Sequence, residues 1–405
     1  MQPVAEYMGL MERAGALPVV RVIEGASSEP MIRIGGRSVV SFCSSNYLGL
    51  STHPEVKQAV IDTVVEYGLG ANGSRLISGT TDLHIALEEA TARFKGCAAA
   101  IAFPTGFMVN TGTIAALAYL PFFARMTGQP LASRVPDLVV LSDALNHASI
   151  IEGLDAARCK HANYAHRDLD DLERKLHEHP GKRLLIVTDG IFSMDGDMAP
   201  LPGIVELASE YGAEVLLDDA HATGVLGRTG RGTLEHFDLE RTPNILQMGT
   251  YSKSYGGLGG FLAADAETVD YLRIAARPYM FSGAMPACVA AGVLKAMEIA
   301  AREPQRRVRV LRNRDYVADG IERLGFETLG AGTPIVPIVI GDDTLAMEMS
   351  DELFARDILA PCIRWPAVAR GESRIRLTLM ASHEREHLDR LLEAFEEVGR
   401  SHGLV

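Results

Sequence analysis

Short apolar runs, each followed by polar residues, alternate with amphipathic segments through the middle of this chain. The runs lack the apolar–polar alternation of a strand with one face in water, which indicates strands buried on both faces. They occupy residues 138–141, 184–188, 215–218, 245–248 and 260–263. Segments of helical periodicity, such as residues 169–178 and 204–211, lie between them. This alternation predicts an α/β fold built on a mostly parallel sheet with helices on both faces.

The pattern changes after about residue 290. Two long helical segments, residues 288–303 and 305–324, precede short strands and a closing amphipathic helix. The strands are expected at residues 335–340, 363–365 and 375–378, with a hairpin turn at 366–373. The predicted organisation is an N-terminal arm with a short hairpin in residues 1–45, a large α/β domain in residues 46–290 and a smaller α+β domain in residues 291–405.

Charge and cysteine content narrow the possible function classes. The chain has 39 basic and 52 acidic residues and a net charge of −13, which argues against a broad nucleic-acid or anionic-membrane surface. Its five cysteines are scattered and form no CxxC pair, a pattern typical of a reduced, cytoplasmic protein. No signal peptide is predicted. The most apolar stretch, residues 97–123, is interrupted by Pro104, Gly106, Asn110 and Gly112, so we expect no membrane span.

The polar residues that follow the predicted strands carry the chemistry. Asp218 ends one strand, His221 follows three residues later, and Lys253 comes after the next strand. Gly106 and Phe107 begin a predicted helix upstream. In parallel sheets, ligands bind at the carboxyl ends of the strands. A carboxylate, a histidine and a lysine at that edge suit a flat, nitrogenous, phosphorylated cofactor such as pyridoxal phosphate.

These residues belong to a series of motifs that resembles the α-oxoamine synthase family of fold-type I pyridoxal-phosphate enzymes. The resemblance runs from about Val39 to the C-terminus. In chain order the motifs are SFCSSNYLGLSTHP, GANGSRLISGTTDLHIALE, PTGFMVN, SDALNHASIIEG, TDGIFSMDGD, LDDAHATGVLG, GTYSKSYGGLGG, RPYMFSGAMP and SRIRLTLMASH. Their number and order make chance similarity negligible. The resemblance implies a fold-type I transferase with a large, mostly parallel-sheet domain and a smaller C-terminal α+β domain.

The resemblance also implies catalytic roles for Lys253, Asp218, His221 and His147. Lys253 would bind pyridoxal 5'-phosphate as a Schiff base and remove the Cα proton of the amino acid. Asp218 would keep the pyridine nitrogen protonated, and His221 would hydrogen-bond the phenolic oxygen. His147 would stack on the ring and would also serve as an acid toward the thioester carbonyl.

Further ligands follow from the same resemblance. The backbone N–H groups of Gly106 and Phe107 would bind the phosphate. Arg376 would grip the amino-acid carboxylate through its guanidinium, and Asn46 is a second substrate-binding candidate. The other expected ligands are Ser193 at the cofactor edge, Thr250 and Ser252 at the phosphate, and Ser282, which would reach the phosphate of the neighbouring subunit in a homodimer with shared active sites.

Three departures from the family pattern bear on these expectations. Ser45 stands where relatives commonly carry Asn. The serine side chain is shorter, so it extends less far toward the substrate, and the identity of the amino-acid substrate stays undetermined. Gly283 replaces a second hydroxyl that several members have, which weakens the phosphate contact between subunits. Residues 118–136 are longer than the equivalent link in compact relatives. We expect a loop or short helix there, near the acyl entrance or the dimer contact.

The implied activity is condensation of a small amino acid with an acyl thioester of coenzyme A or an acyl-carrier protein. With decarboxylation the product is an α-amino ketone, and without it a β-keto amino acid. A binding-only paralogue is a third interpretation, against which the intact Lys253, Asp218 and His221 argue. The sequence leaves the amino acid and the acyl chain open.

Several residues have a second interpretation. Asp219 is adjacent to Asp218, although the three-residue spacing to the following histidine favours Asp218 as the cofactor ligand. His147 could be a structural histidine. Arg374 lies on the same predicted strand face as Arg376 and could serve only in a salt bridge.

Residues 383–387 (HEREH) match the HExxH pattern of zinc hydrolases, which would place both histidines one helical turn apart. A third metal ligand could come only from His402 or a distant acid. Ser382 is a natural N-cap for an ordinary, solvated helix start. We therefore expect a helix start here and no metal site.

Overall fold

The computed structural model describes residues 2–13, 20–126, 135–330 and 332–405. The helices of this described chain are α1 (Gln2–Arg13), α2 (Pro54–Tyr67), α3 (Asp82–Lys95), α4 (Gly106–Met126), α5 (Ala148–Ala157), α6 (Leu169–His177), α7 (Leu201–Tyr211), α8 (Thr233–His236), α9 (Ala266–Ala275), α10 (Arg277–Phe281), α11 (Ala287–Arg302), α12 (Gln305–Arg323), α13 (Asp343–Ala355) and α14 (Arg385–Ser401). The strands are β1 (Ile23–Glu24), β2 (Met31–Ile34), β3 (Arg37–Ser41), β4 (Ala99–Phe103), β5 (Leu138–Asp143), β6 (Lys160–Tyr164), β7 (Arg183–Asp189), β8 (Glu214–Asp218), β9 (Ile245–Thr250), β10 (Gly260–Ala264), β11 (Ile335–Gly341), β12 (Ile358–Leu359), β13 (Cys362–Ile363) and β14 (Ser373–Thr378).

The central sheet confirms the predicted mostly parallel architecture. Its order is β4-β10-β9-β8-β7-β5-β6, and β5 to β9 pair in parallel. Only β10 runs antiparallel to both its neighbours, because the link of residues 251–259 has no room for the crossover helix that parallel strands require. Strands β4 and β6 were not predicted from the sequence. β6 is a polar edge strand, and β4 is largely alanine, so neither shows a strong apolar run.

Helices cover both faces of this sheet, as predicted. On β5, Leu138 and Val140 pack in one cluster that includes residues of α4, α5 and α9. The alternate residues Val139 and Leu141 pack in another cluster with residues of α6 and α7. Successive side chains of a strand point to opposite faces, so the two clusters lie on opposite sides of the sheet. Burial on both faces is the reason that these strands lack polar alternation.

The C-terminal part forms the smaller α+β unit that the sequence predicts. Its sheet has the order β11-β14-β13, and the predicted hairpin joins β13 to β14. The N-terminal hairpin is β2–β3, and β3 pairs in parallel with β12 of the C-terminal part. Val40 and Phe42 share a hydrophobic core with Leu388 and Phe395 of α14. The first hairpin therefore packs with the C-terminal elements.

The sheet brings strand-end polar residues to one edge. Asp189 on β7 is the register partner of Asp218 on β8, and Asp218 is the partner of Met248 on β9. At the same edge, α4 begins at Gly106 directly after β4. A Cβ atom at Gly260 would lie 2.6 Å from the Cα atom of Gly106, so only glycine lets β10 approach the start of α4 so closely.

Several predictions concern regions away from this edge. Of the segment 118–136, α4 takes up the part to Met126, and residues 127–134 lie outside the described residues. All five cysteines are free thiols. In the described part of the chain, none of the helices combines the length and the hydropathy that a membrane crossing requires.

Candidate active site

A cavity of about 250 Å³ opens at the carboxyl edge of the central sheet. Its lining includes eight of the residues predicted from the sequence: Gly106, Phe107, His147, Asp218, His221, Thr250, Ser252 and Lys253. A larger cavity of about 910 Å³ lies near the first residues of β5 and β6 and contains none of the predicted site residues. Ligands of parallel sheets bind at the carboxyl ends of strands, so the smaller cavity is the candidate active site.

Lys253 supplies an amine without a hydrogen-bond partner among the described residues. It follows β9 in the loop that leads to β10. Burial lowers the pKa of Lys253 to about 8, with Asp218 and Asp189 opposing this shift and Arg376 adding to it. A lower pKa increases the fraction of the amine that is neutral and nucleophilic near neutral pH. The side chain is thus suited to attack an aldehyde.

Asp218 is fixed in the cavity by two hydrogen bonds. Asn110 Nδ2 donates to one carboxylate oxygen at 2.7 Å, and the backbone N–H of Ala220 donates to the other at 3.0 Å. The neighbouring Asp219 does not line the cavity, and its carboxylate pairs with Lys95 Nζ at 2.9 Å. This geometry favours Asp218 over Asp219 as the carboxylate that faces a ligand.

Two neutral histidines line the cavity. His147 caps the start of α5, where its Nδ1 accepts from the backbone N–H of Ser149 at 3.2 Å. Burial lowers the pKa of His147, with Lys253 adding and Asp218 opposing. The Nδ1 atom of His221 lies 2.6 Å from the hydroxyl oxygen of Tyr47. Burial, reinforced by nearby cationic groups, lowers the pKa of His221 well below its ordinary value.

The start of α4 offers an anion site. The first N–H groups of a helix have no partner within the helix, and the helix dipole favours negative charge there. Gly106 and Phe107 are these first residues, and both line the cavity. The hydroxyls of Thr250 and Ser252 lie beside them, 2.7 Å from each other.

These groups fit pyridoxal phosphate. The unpartnered amine of Lys253 suits its aldehyde, and the anchored carboxylate of Asp218 suits its cationic ring nitrogen. The start of α4 and the two hydroxyls suit its phosphate. The residues present therefore provide partners for the aldehyde, the ring nitrogen and the phosphate of the cofactor.

Arg376 is a mostly buried guanidinium with no carboxylate partner in the described chain. Its Nε donates to the carbonyl of Ser193 at 2.5 Å, and its Nη1 donates to the hydroxyl of Thr378 at 3.1 Å. Burial lowers the pKa of Arg376. Arg374, two residues earlier, instead pairs with Asp195, as its salt-bridge interpretation predicts. A buried cation without a counter-ion favours an anionic ligand.

Asn46 makes hydrogen bonds within its own turn. Its side-chain oxygen accepts from the backbone N–H groups of Leu50 at 3.0 Å and Ser51 at 3.3 Å. Its amide donates to the carbonyl of Ser28 at 3.1 Å. The side chain is buried and stabilises a turn, and its contact with the substrate stays a prediction.

Ser193 and Ser282 do not line the cavity. Ser193 contributes a backbone carbonyl to Arg376, and the cavity lining does not include it. The hydroxyl of Ser282 donates to the carbonyl of Pro278 in its own chain. Its predicted contact with a neighbouring subunit stays a prediction.

The HExxH interpretation fails on geometry. α14 begins at Arg385, so His383 precedes the helix, and the two histidines are not one turn apart on it. His383 is buried, with Nδ1 accepting from Met380 N at 3.0 Å and Nε2 lying 2.9 Å from the carbonyl of Ser41. The N-cap is Glu384 rather than the predicted Ser382.

Sequence reasoning missed three residues of this site: Asp189, Asn110 and Tyr47. Asp189 lines the cavity, and burial beside the like charge of Asp218 raises its pKa well above the ordinary value. Its position at the end of β7, in register with Asp218, could have revealed it. Asn110 lies one turn into α4 from Gly106, a spacing that also could have been used. No sequence spacing indicates that the hydroxyl of Tyr47 belongs to the site.

Comparison with known proteins agrees with this geometry. The profile of the family "Aminotransferase class I and II" matches residues 37–395. The 8-amino-7-oxononanoate synthase of Symbiobacterium thermophilum is 42% identical over 402 residues, covering 99% of this chain and 98% of that protein. The protein of the same name from Geobacter sulfurreducens is 41% identical over 405 residues and 99% of both chains.

Solved structures extend the comparison. Serine palmitoyltransferase (SPT) of Sphingomonas wittichii matches with a TM-score of 0.90 and 29% identity, over 100% of this chain and 98% of that chain. A high-resolution structure of SPT with PLP also matches with a TM-score of 0.90, at 30% identity and the same coverage. The chain belongs to the aminotransferase class I and II family and, within it, to the α-oxoamine synthases, pyridoxal-phosphate acyltransferases that condense an amino acid with an acyl thioester to give an amino ketone.

Proposed function

We propose that this enzyme joins alanine to a seven-carbon dicarboxylic acyl thioester, releasing CO₂ and the free thiol and forming 8-amino-7-oxononanoate. The support is the shared name of the relatives at about 40% identity over nearly the whole chain. In a product of that name, the carbon that bears the amino group and the terminal methyl carbon are the two carbons that alanine contributes after it loses its carboxylate. The remaining carbons, from the ketone to the terminal carboxylate, correspond to the acyl group.

Arg376, whose guanidinium has no carboxylate partner in the described chain, is the proposed binding group for the amino-acid substrate. It lies close enough to Lys253 and His221 to lower the pKa of both. A substrate carboxylate bound there would neutralise a buried cation that otherwise has no acidic partner in the described chain. The α-carbon of the amino acid would then lie near the Lys253 amine.

The residues that line the cavity have complementary roles. When bound, pyridoxal phosphate supplies an electron sink for the negative charge that develops at the amino-acid α-carbon. Lys253 holds the aldehyde carbon and later moves the proton at the α-carbon. Asp218 holds the proton of the ring nitrogen, and His147 covers the ring and can donate a hydrogen bond to the acyl carbonyl. The start of α4 anchors the phosphate.

A substrate panel tests this proposal. Alanine, glycine and serine are each combined with the seven-carbon dicarboxylic thioester and with a long-chain acyl thioester, as coenzyme A and as carrier-protein forms. Thiol release and CO₂ are measured. We expect alanine with the dicarboxylic donor to have the highest kcat/KM, by roughly tenfold or more over glycine or serine. Preference for serine with the long chain would instead support the activity of the structural neighbours, and thiol release without CO₂ would indicate a β-keto amino acid.

We propose that the enzyme is a homodimer with shared active sites. Leu69 and Ile77 of the loop after α2 are more than 80% exposed in the single chain. This loop lies beside the segment of Ser282, since the carbonyl of Gly73 accepts from the N–H of Ala284 at 2.9 Å. Exposed apolar side chains at a segment expected to meet the neighbouring subunit support an interface there.

Charge placed on this loop should weaken the dimer. We expect the wild type to sediment at twice the chain mass of 43.7 kDa and Ile77→Glu to shift toward the single-chain mass, because a carboxylate would be buried in the contact. Val308→Glu, at an exposed apolar position on α12, is the matched control and should leave the mass unchanged. A wild type of single-chain mass at assay concentration contradicts the proposal.

We also propose a reducing, cytoplasmic setting. The support is the five free cysteines, which are dispersed over the fold without any disulfide between described residues. Cell fractionation tests this assignment, and recovery of the enzyme from an oxidising compartment would contradict it.

A further inference from the structure

The hydroxyl of Tyr47 lies between two functional groups of the site. Tyr47 is fully buried in the turn after β3, and its hydroxyl oxygen is 2.6 Å from His221 Nδ1. The side chains of Arg376 and Ser45 also lie close enough to this hydroxyl to lower its pKa. Tyr47 therefore hydrogen-bonds His221 while its oxygen lies beside Arg376.

The hydrogen-bonding capacity of these groups fixes the direction of each bond. Arg376 and Ser45 both act to lower the pKa of Tyr47, and a guanidinium can only donate, so the Tyr47 oxygen faces donors. Burial outweighs these effects and raises the pKa of Tyr47 to about 12, so the hydroxyl keeps its proton at neutral pH. His221 Nδ1 lies 2.6 Å from the oxygen and is the acceptor available to that proton.

His221 must then carry its proton on the other nitrogen. Burial and the nearby cations keep this imidazole neutral, and a neutral imidazole has a single N–H. Because Nδ1 accepts from Tyr47, the N–H is at Nε2. Within the described chain Nε2 has no hydrogen-bond partner, and the ring lines the cavity. Nε2 is thus the nitrogen available to a ligand.

We propose that Tyr47 is a positioning residue that holds His221 in the Nε2–H tautomer, so that the imidazole donates a hydrogen bond into the cavity. The nature of the acceptor rests on the proposed function: with pyridoxal phosphate in place, it is the phenolic oxygen. Without the Tyr47 proton, His221 could place its own proton on Nδ1. Nε2 would then present a lone pair to an anionic oxygen, which is repulsive.

The tautomer can be measured directly by NMR. Full-length enzyme labelled with ¹⁵N-histidine is compared with and without cofactor, and His221→Gln identifies the resonances of His221. We expect a protonated Nε2 and an unprotonated Nδ1 in the wild type. In Tyr47→Phe, the proton should move to Nδ1 or exchange between both nitrogens, so that the two nitrogen shifts converge. The cofactor-free spectrum tests the inference even if the proposed function fails.

A second readout uses the bound cofactor. The absorbance of the lysine-bound cofactor is titrated with pH, and we expect Tyr47→Phe to raise the midpoint by roughly one pH unit, since a lost donor at the phenolic oxygen disfavours its deprotonated form. Tyr251→Phe is the matched control: it removes an equally buried hydroxyl, 2.7 Å from Thr91 Oγ1 and outside the cavity. It should change neither the His221 tautomer nor the midpoint.

Two further comparisons separate positioning from general damage. Ser45→Ala removes a donor to the Tyr47 oxygen but keeps the Tyr47 proton, so the His221 tautomer should be unchanged. Thermal unfolding of each variant shows whether it is folded. A folded Tyr47→Phe with the wild-type tautomer and midpoint overturns the inference. A wild type with the proton on Nδ1 also overturns it, whether or not Tyr47→Phe folds.

Discussion

Lys253→Ala is expected to lower turnover by roughly 10³-fold or more, because it removes both the amine that binds the cofactor and the base that moves the α-carbon proton. Borohydride reduction followed by peptide mapping should find the cofactor attached to residue 253 in the wild type and at no residue in the variant. The fold should persist, since the Lys253 amine makes no hydrogen bond within the described chain. Urea unfolding without cofactor should differ from the wild type by no more than about 1 kcal/mol.

The control for this substitution is Lys57→Ala, which removes an exposed lysine of α2. It should retain wild-type turnover and cofactor attachment. Turnover by Lys253→Ala within tenfold of the wild type, or labelling of another lysine in the wild type, would contradict the assignment. Loss of turnover together with a large loss of stability would show that Lys253 is needed for the fold instead.

The carboxyl-edge chemistry could be predicted from the sequence because strand topology is encoded locally. Apolar runs mark the strands, and parallel strands end at one edge, so the side chains just beyond them must converge. Asp218, His221 and Lys253 line one cavity for this reason. Asp189 follows the same rule, because it ends β7 in register with Asp218. It was not predicted because the rule was not applied to the end of β7.

Contacts between distant segments could not be predicted in this way. The bond between Tyr47 and His221 joins residues 174 positions apart and depends on how the turn after β3 packs against the loop after β8. The hydrogen bonds of Asn46 to backbone groups of its own turn and of Ser28 were likewise not predicted. Residue type gave no sign that the hydroxyl of Tyr47 serves the site.

The adjacent carboxylates Asp218 and Asp219 provide the sharpest separation of function from stability. Asp218→Asn keeps one acceptor oxygen for Ala220 N, loses the acceptor for Asn110 Nδ2, and removes the charge that would hold a proton on the ring nitrogen. We expect kcat to fall by about 10²- to 10³-fold, with stability lowered by only about 1–2 kcal/mol for the lost hydrogen bond. Steady-state kinetics of the cofactor-loaded enzyme and urea unfolding of the cofactor-free enzyme measure the two effects.

Asp219→Asn should show the opposite pattern. Its carboxylate is fully buried against Lys95, and it also accepts from the N–H and hydroxyl of Thr233. Removing one partner leaves a buried ammonium unpaired, which typically costs about 3–5 kcal/mol. The folded fraction should nevertheless keep kcat within about threefold of the wild type, because Asp218 still has both of its hydrogen bonds. If Asp219→Asn lost turnover while remaining stable and Asp218→Asn did not, Asp219 would be the cofactor ligand and the cavity would have been assigned to the wrong carboxylate.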